Sequence, residues 1–135
     1  MPEDKFDAKR VRDYWLIEAE EALQVADHLV EKKDYSYALF FGHLAVEKML
    51  KALHTVRIQA HPPKSHNLLH LVERCNLEYN DDQKRALAQI TSFNMEARYP
   101  DERRSFRNLA TPEFTKTQMQ QIKEVFQWLR SLVIS

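Results

Sequence analysis

The sequence predicts an all-α fold, an up-and-down antiparallel helical bundle of four long helices and one short one, built as a single domain over residues 1–135. Three observations carry this. Apolar residues recur at steps of three and four along most of the chain, and no stretch shows the period-two alternation of a half-buried strand. A single glycine, Gly42, leaves the chain without the residue that tight hairpins and phosphate-cradling loops require, which also argues against Rossmann and P-loop nucleotide folds. At 135 residues the chain is long enough to bury a core without help from metal or disulfide.

The first helix is expected from Ala8 to Glu31, where Val11, Trp15, Ala19, Ala22, Ala26 and Leu29 form one apolar face. Its alanines let a neighbour approach closely. Lys32-Lys33-Asp34 breaks the pattern, and Asp34 is a plausible cap for a second helix from Tyr35 to about Val56, antiparallel to the first because the link is so short. This second helix is apolar around most of its girth and should be the centre of the bundle. Gln59 to Ser65 contains Pro62-Pro63 and reads as a loop, since proline lacks a donor and holds its predecessor extended. A short helix is expected from Ser65 or His66 to about Cys75.

Asn80-Asp81 caps a fourth helix whose period, through Leu87, Ile90 and Phe93, continues to Arg98, with Pro100 as its stop. Residues 101–110 are polar and arginine-rich without an apolar period, so they read as an irregular connection. Thr111-Pro112-Glu113 then supplies a cap, an N1 proline and an acidic first turn, and Met119, Ile122, Phe126, Leu129 and Val133 form the seam of a C-terminal helix. Trp15 and Trp128 lie on apolar seams and read as core.

Lys plus Arg and Asp plus Glu each number 20, so no global field draws the protein to nucleic acid or to acidic membranes, and any anion site must be local. The lone Cys75 excludes an internal disulfide and a cysteine-built zinc site, and reads as a small packing residue in a reducing compartment. The N-terminal Met-Pro-Glu-Asp-Lys-Phe-Asp has no apolar core of signal-peptide length, and no run elsewhere is long enough to span a bilayer. A cytoplasmic location is expected.

Three segments concentrate candidate chemistry. On the second long helix His43, Glu47, Lys51 and His54 share one face, with Lys48 beside Glu47. Glu47 and Lys51 at i,i+4 form a helix ion pair or an acid–cation unit of a site. Because a central helix has few exposed positions, the column is expected to face a groove or a subunit partner. The second segment holds His66 and His70 at a spacing that can chelate zinc, but no third ligand accompanies them, so no metal or other cofactor is expected and His66 has a helix-end role as its alternative. The third is Arg98-Tyr99-Pro100-Asp101, followed by Arg103, Arg104 and Arg107. Guanidinium groups recognise phosphate bidentately, which suggests an RNA-backbone or nucleotide contact; the other reading is a salt bridge from Arg98 to Asp101 or Glu47 that fixes the turn.

With those residues in view, the chain resembles the HEPN family, the nucleotide-binding helical domain of higher eukaryotes and prokaryotes. The likeness lies in Ala45-Val46-Glu47-Lys48-x-x-Lys51-Ala52, in Pro62-Pro63 with His66-x-Leu68, and in Arg98-Tyr99-Pro100-Asp101, with the Trp15–Ala26 and Ile122–Leu129 helices in the same frame. The resemblance implies a helical bundle that commonly forms homodimers and is often encoded beside a minimal nucleotidyltransferase as a toxin–antitoxin pair. Many family members are metal-independent ribonucleases that carry an Arg-x4-6-His signature late in the domain. Here no histidine follows His70, and the nearest approach, Arg57 to His61, is too short and precedes the proline loop.

The sequence therefore reads as a non-catalytic, homodimeric HEPN-type module that partners a nucleotidyltransferase. It would bind a nucleotide or RNA phosphate through Glu47, Lys48, Lys51, His66, Arg98, Tyr99 and Asp101, with Lys51 and Arg98 neutralising the phosphate. A ribonuclease using His43 or His66 as an atypical base, and a bare interaction scaffold whose polar motifs lock helix ends, are the alternatives.

Overall fold

Six α-helices and one 3₁₀ turn make up the computed structural model, which describes residues 5–135; the first four residues of the N-terminal stretch discussed above lie outside the described residues. The helices are α1 (Ala8–Glu31), α2 (Tyr35–Ile58), α3 (Leu68–Arg74), α4 (Asp81–Thr91), α5 (Pro100–Leu109) and α6 (Pro112–Val133), and the 3₁₀ turn is Met95–Ala97. No strand occurs among the described residues, and no helix there is long and apolar enough to cross a membrane.

α1 begins where the Asp7 carboxylate accepts a hydrogen bond from the Arg10 amide, 3.2 Å. Its buried face is Ala19, Ala22 and Ala26, packed against α2. Those alanines are thus occupied within the chain. α2 is the axis of the bundle and packs against α1, α3, α4, α5 and α6, which explains why Leu39, Val46, Met49, Leu50 and Leu53 are all sealed from solvent although they point to different sides. The sole glycine lies at the closest approach of α2 to α6: a Cβ on Gly42 would stand 2.6 Å from Ile122 Cδ1 and 3.3 Å from its Cγ2. α6 follows its expected seam, with Met119, Ile122, Phe126, Leu129 and Val133 buried. Cys75 is buried too, and that burial pushes its thiol pKa up, as befits a packing residue.

Three boundaries differ from expectation, the first two because a side chain competes for backbone hydrogen bonds. α3 starts at Leu68 rather than at Ser65 or His66, because the Asn67 carboxamide accepts from the amides of Leu69 (3.1 Å) and His70 (3.3 Å). α4 stops at Thr91 instead of running to Arg98. Thr91 Oγ1 donates back to Leu87 O at 2.8 Å, and the Asn94 side chain accepts from the Glu96 amide at 3.1 Å to start the 3₁₀ turn.

The third difference is the largest. Pro100 does not end a helix; it is the first residue of α5, with Tyr99 in extended backbone as its cap residue, so the segment read as an irregular connection is helical. The bundle accordingly has long α1, α2 and α6 and three shorter helices. α5 escaped the apolar-period reading because it contributes one buried residue, Phe106, which stacks on Phe93 with ring centroids 5.7 Å apart.

Gly42→Ala should gain about 1 kcal/mol of helix propensity but lose about 1–3 kcal/mol by crowding Ile122. Ile122→Val removes the obstructing Cδ1. The double variant is therefore expected to be more stable than the sum of the two single variants by at least about 0.5 kcal/mol in denaturant unfolding; strict additivity would show that Cδ1 is not the obstacle.

Candidate functional site

α2 presents its polar column inward. His43, Glu47, Lys51 and His54 are all buried, so the expectation that this face opens to a groove or a partner subunit is corrected. What the column meets is the segment that leads into α3. Glu47 Oε1 accepts a 2.8 Å hydrogen bond from His66 Nδ1, while Oε2 accepts from Lys51 Nζ at 3.2 Å. One turn earlier His43 donates from Nε2 to the carbonyl oxygen of His66, 3.2 Å away.

Successive turns of one rigid helix therefore hold both the backbone and the ring of His66. The Lys51 ammonium is in turn placed over the Trp15 ring of α1, 5.1 Å from its centroid. Trp15, read from sequence as core only, is the residue that closes the site on the α1 side.

The protonation chemistry follows from this geometry. Burial lowers the pKa of His43, against an opposing pull from the His66 carbonyl and Glu47, so at neutral pH His43 is a neutral ring donating its one N–H to that carbonyl. Its Nδ1 has no hydrogen-bond partner among the described residues. His43 is thus a positioning residue and not the exposed base considered above. His66 differs: with Nδ1–H donating to Glu47, Nε2 is left as an acceptor in the neutral ring and as a second donor when protonated. Its side chain is 57% exposed, and Nε2 makes no hydrogen bond among the described residues. His54, at the far end of the column, joins none of this; burial and then the nearby Arg74 charge lower its pKa.

His66 lines an open depression of about 510 Å³ together with Asn67, Thr91, Ser92, Asn94, Ala97, Arg98 and the acidic Glu102. Arg98 reaches it from the 3₁₀ turn. Its guanidinium donates to the Ser92 carbonyl oxygen at the C-terminal end of α4 and lies over the Phe106 ring at 4.9 Å. The expected link from Arg98 to Asp101 or Glu47 is therefore corrected: the early stop of α4 exposes unsatisfied carbonyls close by, and a guanidinium caps them.

The other predicted residues separate from this pair. Lys48 turns to Glu18 on α1, 3.6 Å away, because adjacent helix positions point in different directions. Tyr99 is 74% exposed and Asp101 stands exposed in the first turn of α5, neither lining the depression. Two exposed arginines of the cluster are tied to the surface: Arg103 Nε donates to the carbonyls of Met95 (3.0 Å) and Arg98 (3.1 Å), and the Arg107 guanidinium lies over the Tyr37 ring. Asn67 and Asn94, not singled out from sequence, line the depression while capping their own turns. Their signal was local, an asparagine just before each helical run.

Comparison with known proteins bears on the family and the fold. The family described as HEPN domain matches the chain over residues 13–132. Among solved structures, the chain is similar to TT1696 from Thermus thermophilus, with a TM-score of 0.77 at 20% identity, covering 90% of this chain and 97% of that one. At that identity the likeness is one of fold. No curated protein matches the chain in sequence.

Glu47→Gln leaves the buried Lys51 ammonium without its counter-ion and should cost about 3 kcal/mol in chemical denaturation, and Lys51→Met on that background should restore part of the loss. A double variant no more stable than Glu47→Gln alone would show that the ammonium is not what destabilises the single variant. Folding also depends on pH through His43 and His54. Both fold to pKa values below their unfolded ones, so the unfolded chain binds protons first as pH falls; their contribution is complete above about pH 6.5 and is lost below it. His54→Leu should flatten the decline in melting temperature between neutral and mildly acidic buffer.

Proposed function

This chain belongs to the HEPN domain family, matched from residue 13 to residue 132, and from that premise we propose that it is a nucleotide- or RNA-phosphate-binding module whose ligand sits in the depression between His66 and Arg98. The observation that carries the proposal is the state of His66. Its Nδ1 is fixed by a buried carboxylate and its carbonyl by His43, yet more than half of its side chain is open to a concavity that it shares with a guanidinium. A ring held so firmly with one nitrogen unoccupied is preorganised to meet a ligand oxygen.

The roles of the residues shift accordingly. Arg98, with donors beyond the one given to Ser92, supplies the charge that a phosphate needs, and His66 Nε2 supplies a directional hydrogen bond. Glu47 orients His66. Lys51 is buried beneath and balances Glu47 instead of touching the phosphate. Cleavage of RNA without metal requires proton transfer on both sides of the reacting phosphate, and His66 is the single imidazole among the described residues that line the depression, which favours binding over cutting. The Glu47–His66 hydrogen bond favours one rival, a ribonuclease with His66 as base, since a carboxylate behind an imidazole also fits a general base.

We propose further that the module acts as a homodimer beside a nucleotidyltransferase. The second element rests on the family likeness. The first is supported by Tyr14, Ile17 and Val25, exposed on one stripe of α1, because the alanines of α1 and the apolar girth of α2 are already covered within the chain.

Fluorescence anisotropy with a short labelled single-stranded RNA and with nucleotides should show binding that weakens as salt rises. Arg98→Ala and His66→Ala should each weaken it by about 1–3 kcal/mol. RNA should stay intact throughout. Metal-independent cleavage abolished by His66→Ala would transfer the reading to the ribonuclease, and absence of both binding and cleavage would leave the scaffold. Sedimentation at micromolar concentration tests the dimer, with Ile17→Asp expected to shift it toward monomer.

A further inference from the structure

The start of α2 carries a second polar depression, about 390 Å³, lined by Lys33, Asp34, Ser36, Tyr37 and Arg107 among others. It is separate from the His66 site, since Ser36 and Glu47 are about three turns, or about 16 Å, apart along α2. α1, α3, α4 and α6 each begin with a side chain that accepts a hydrogen bond from the first turn; α2 and α5 do not, and at α2 this holds although Asp34 occupies the cap position. The first internal bond runs from the Ala38 amide to Asp34 O, 2.9 Å, and the amides of Tyr35, Ser36 and Tyr37 have no acceptor among the described residues.

Ser36 provides the independent observation. It is only 8% exposed, it lines this depression, and its hydroxyl makes no hydrogen bond among the described residues. Arg107 stands at the rim, its guanidinium 5.8 Å from the centroid of the Tyr37 ring and its Nη2 3.4 Å from the Tyr37 hydroxyl oxygen. Lys33, in the left-handed conformation at φ 63°, brings a second cation to the link. Asp34 is the opposing charge.

We propose that this depression binds a phosphate group. The free amides of the first turn and the Ser36 hydroxyl would donate to its oxygens, Arg107 and Lys33 would balance its charge, and Asp34 would turn outward. Helix N-termini favour such anions through the aligned peptide dipoles and the unsatisfied N–H groups.

The test is a titration of the full chain with inorganic phosphate at constant ionic strength, followed residue by residue in amide NMR spectra. Saturable shifts of the Tyr35, Ser36 and Tyr37 amides are expected. Arg107→Ala and Ser36→Ala should each weaken the apparent affinity about tenfold, and Asp34→Asn should strengthen it. His66→Ala should leave these shifts unchanged, which separates this site from the other one. A parallel titration with adenosine monophosphate distinguishes the source: equal affinity assigns the site to the phosphate group alone, and tighter binding assigns it to a nucleotide. Amides that do not move, or that move alike in Arg107→Ala, Ser36→Ala and the unaltered chain, would overturn the proposal.

Discussion

The buried carboxylate of Glu47 is the constraint around which this protein is arranged. A carboxylate 3% exposed in the middle of a helical bundle would be costly by several kcal/mol if it stood alone. It is tolerated because three elements converge on it. α2 itself supplies Lys51, α1 supplies the Trp15 ring over that ammonium, and the chain leaving the proline loop supplies the His66 imidazole. The same carboxylate thus joins α1, α2 and the entry to α3, and it fixes a histidine ring that faces a concavity.

Around the α4–α5 corner the physical logic is different, because the groups being satisfied are backbone carbonyls. α4 ends early, a 3₁₀ turn follows, and Pro100 starts a new helix within a few residues. Arg98 and Arg103 bond to carbonyls of Ser92, Met95 and Arg98, while Phe106 fastens the underside of α5 to Phe93. Arginine in this region is therefore structural first. Arg98 still enters the His66 depression because one guanidinium carries more donors than a single carbonyl uses.

The two arrangements meet in the depression, where a ring oriented from α2 and a guanidinium oriented from the corner share one space. Neither side depends on a flexible loop: His66 is held at its ring and its carbonyl, and Arg98 at its guanidinium and, through its own carbonyl, by Arg103. Such preorganisation reduces the ordering cost of binding. The phosphate reading draws its strength from this rigidity more than from the number of charges, which are balanced over the chain as a whole.

Period and punctuation in the sequence were enough to determine α1, α2 and α6, because each buries a continuous stripe and carries a recognisable break or cap at its ends. The same reading picked out Glu47, Lys51, His66 and Arg98 as residues of interest. It missed α5 because a helix that buries only Phe106 has no apolar period, and because proline marks a helix start and a helix stop with the same letter. It misplaced Lys48, Tyr99 and Asp101 because neighbours in sequence diverge on a helix and at a turn. Only the tertiary structure decided that the His43–Glu47–Lys51 column points inward and that His66 is what it holds, since the partner of a buried charge is set by the packing of distant segments, about which helical spacing carries no information.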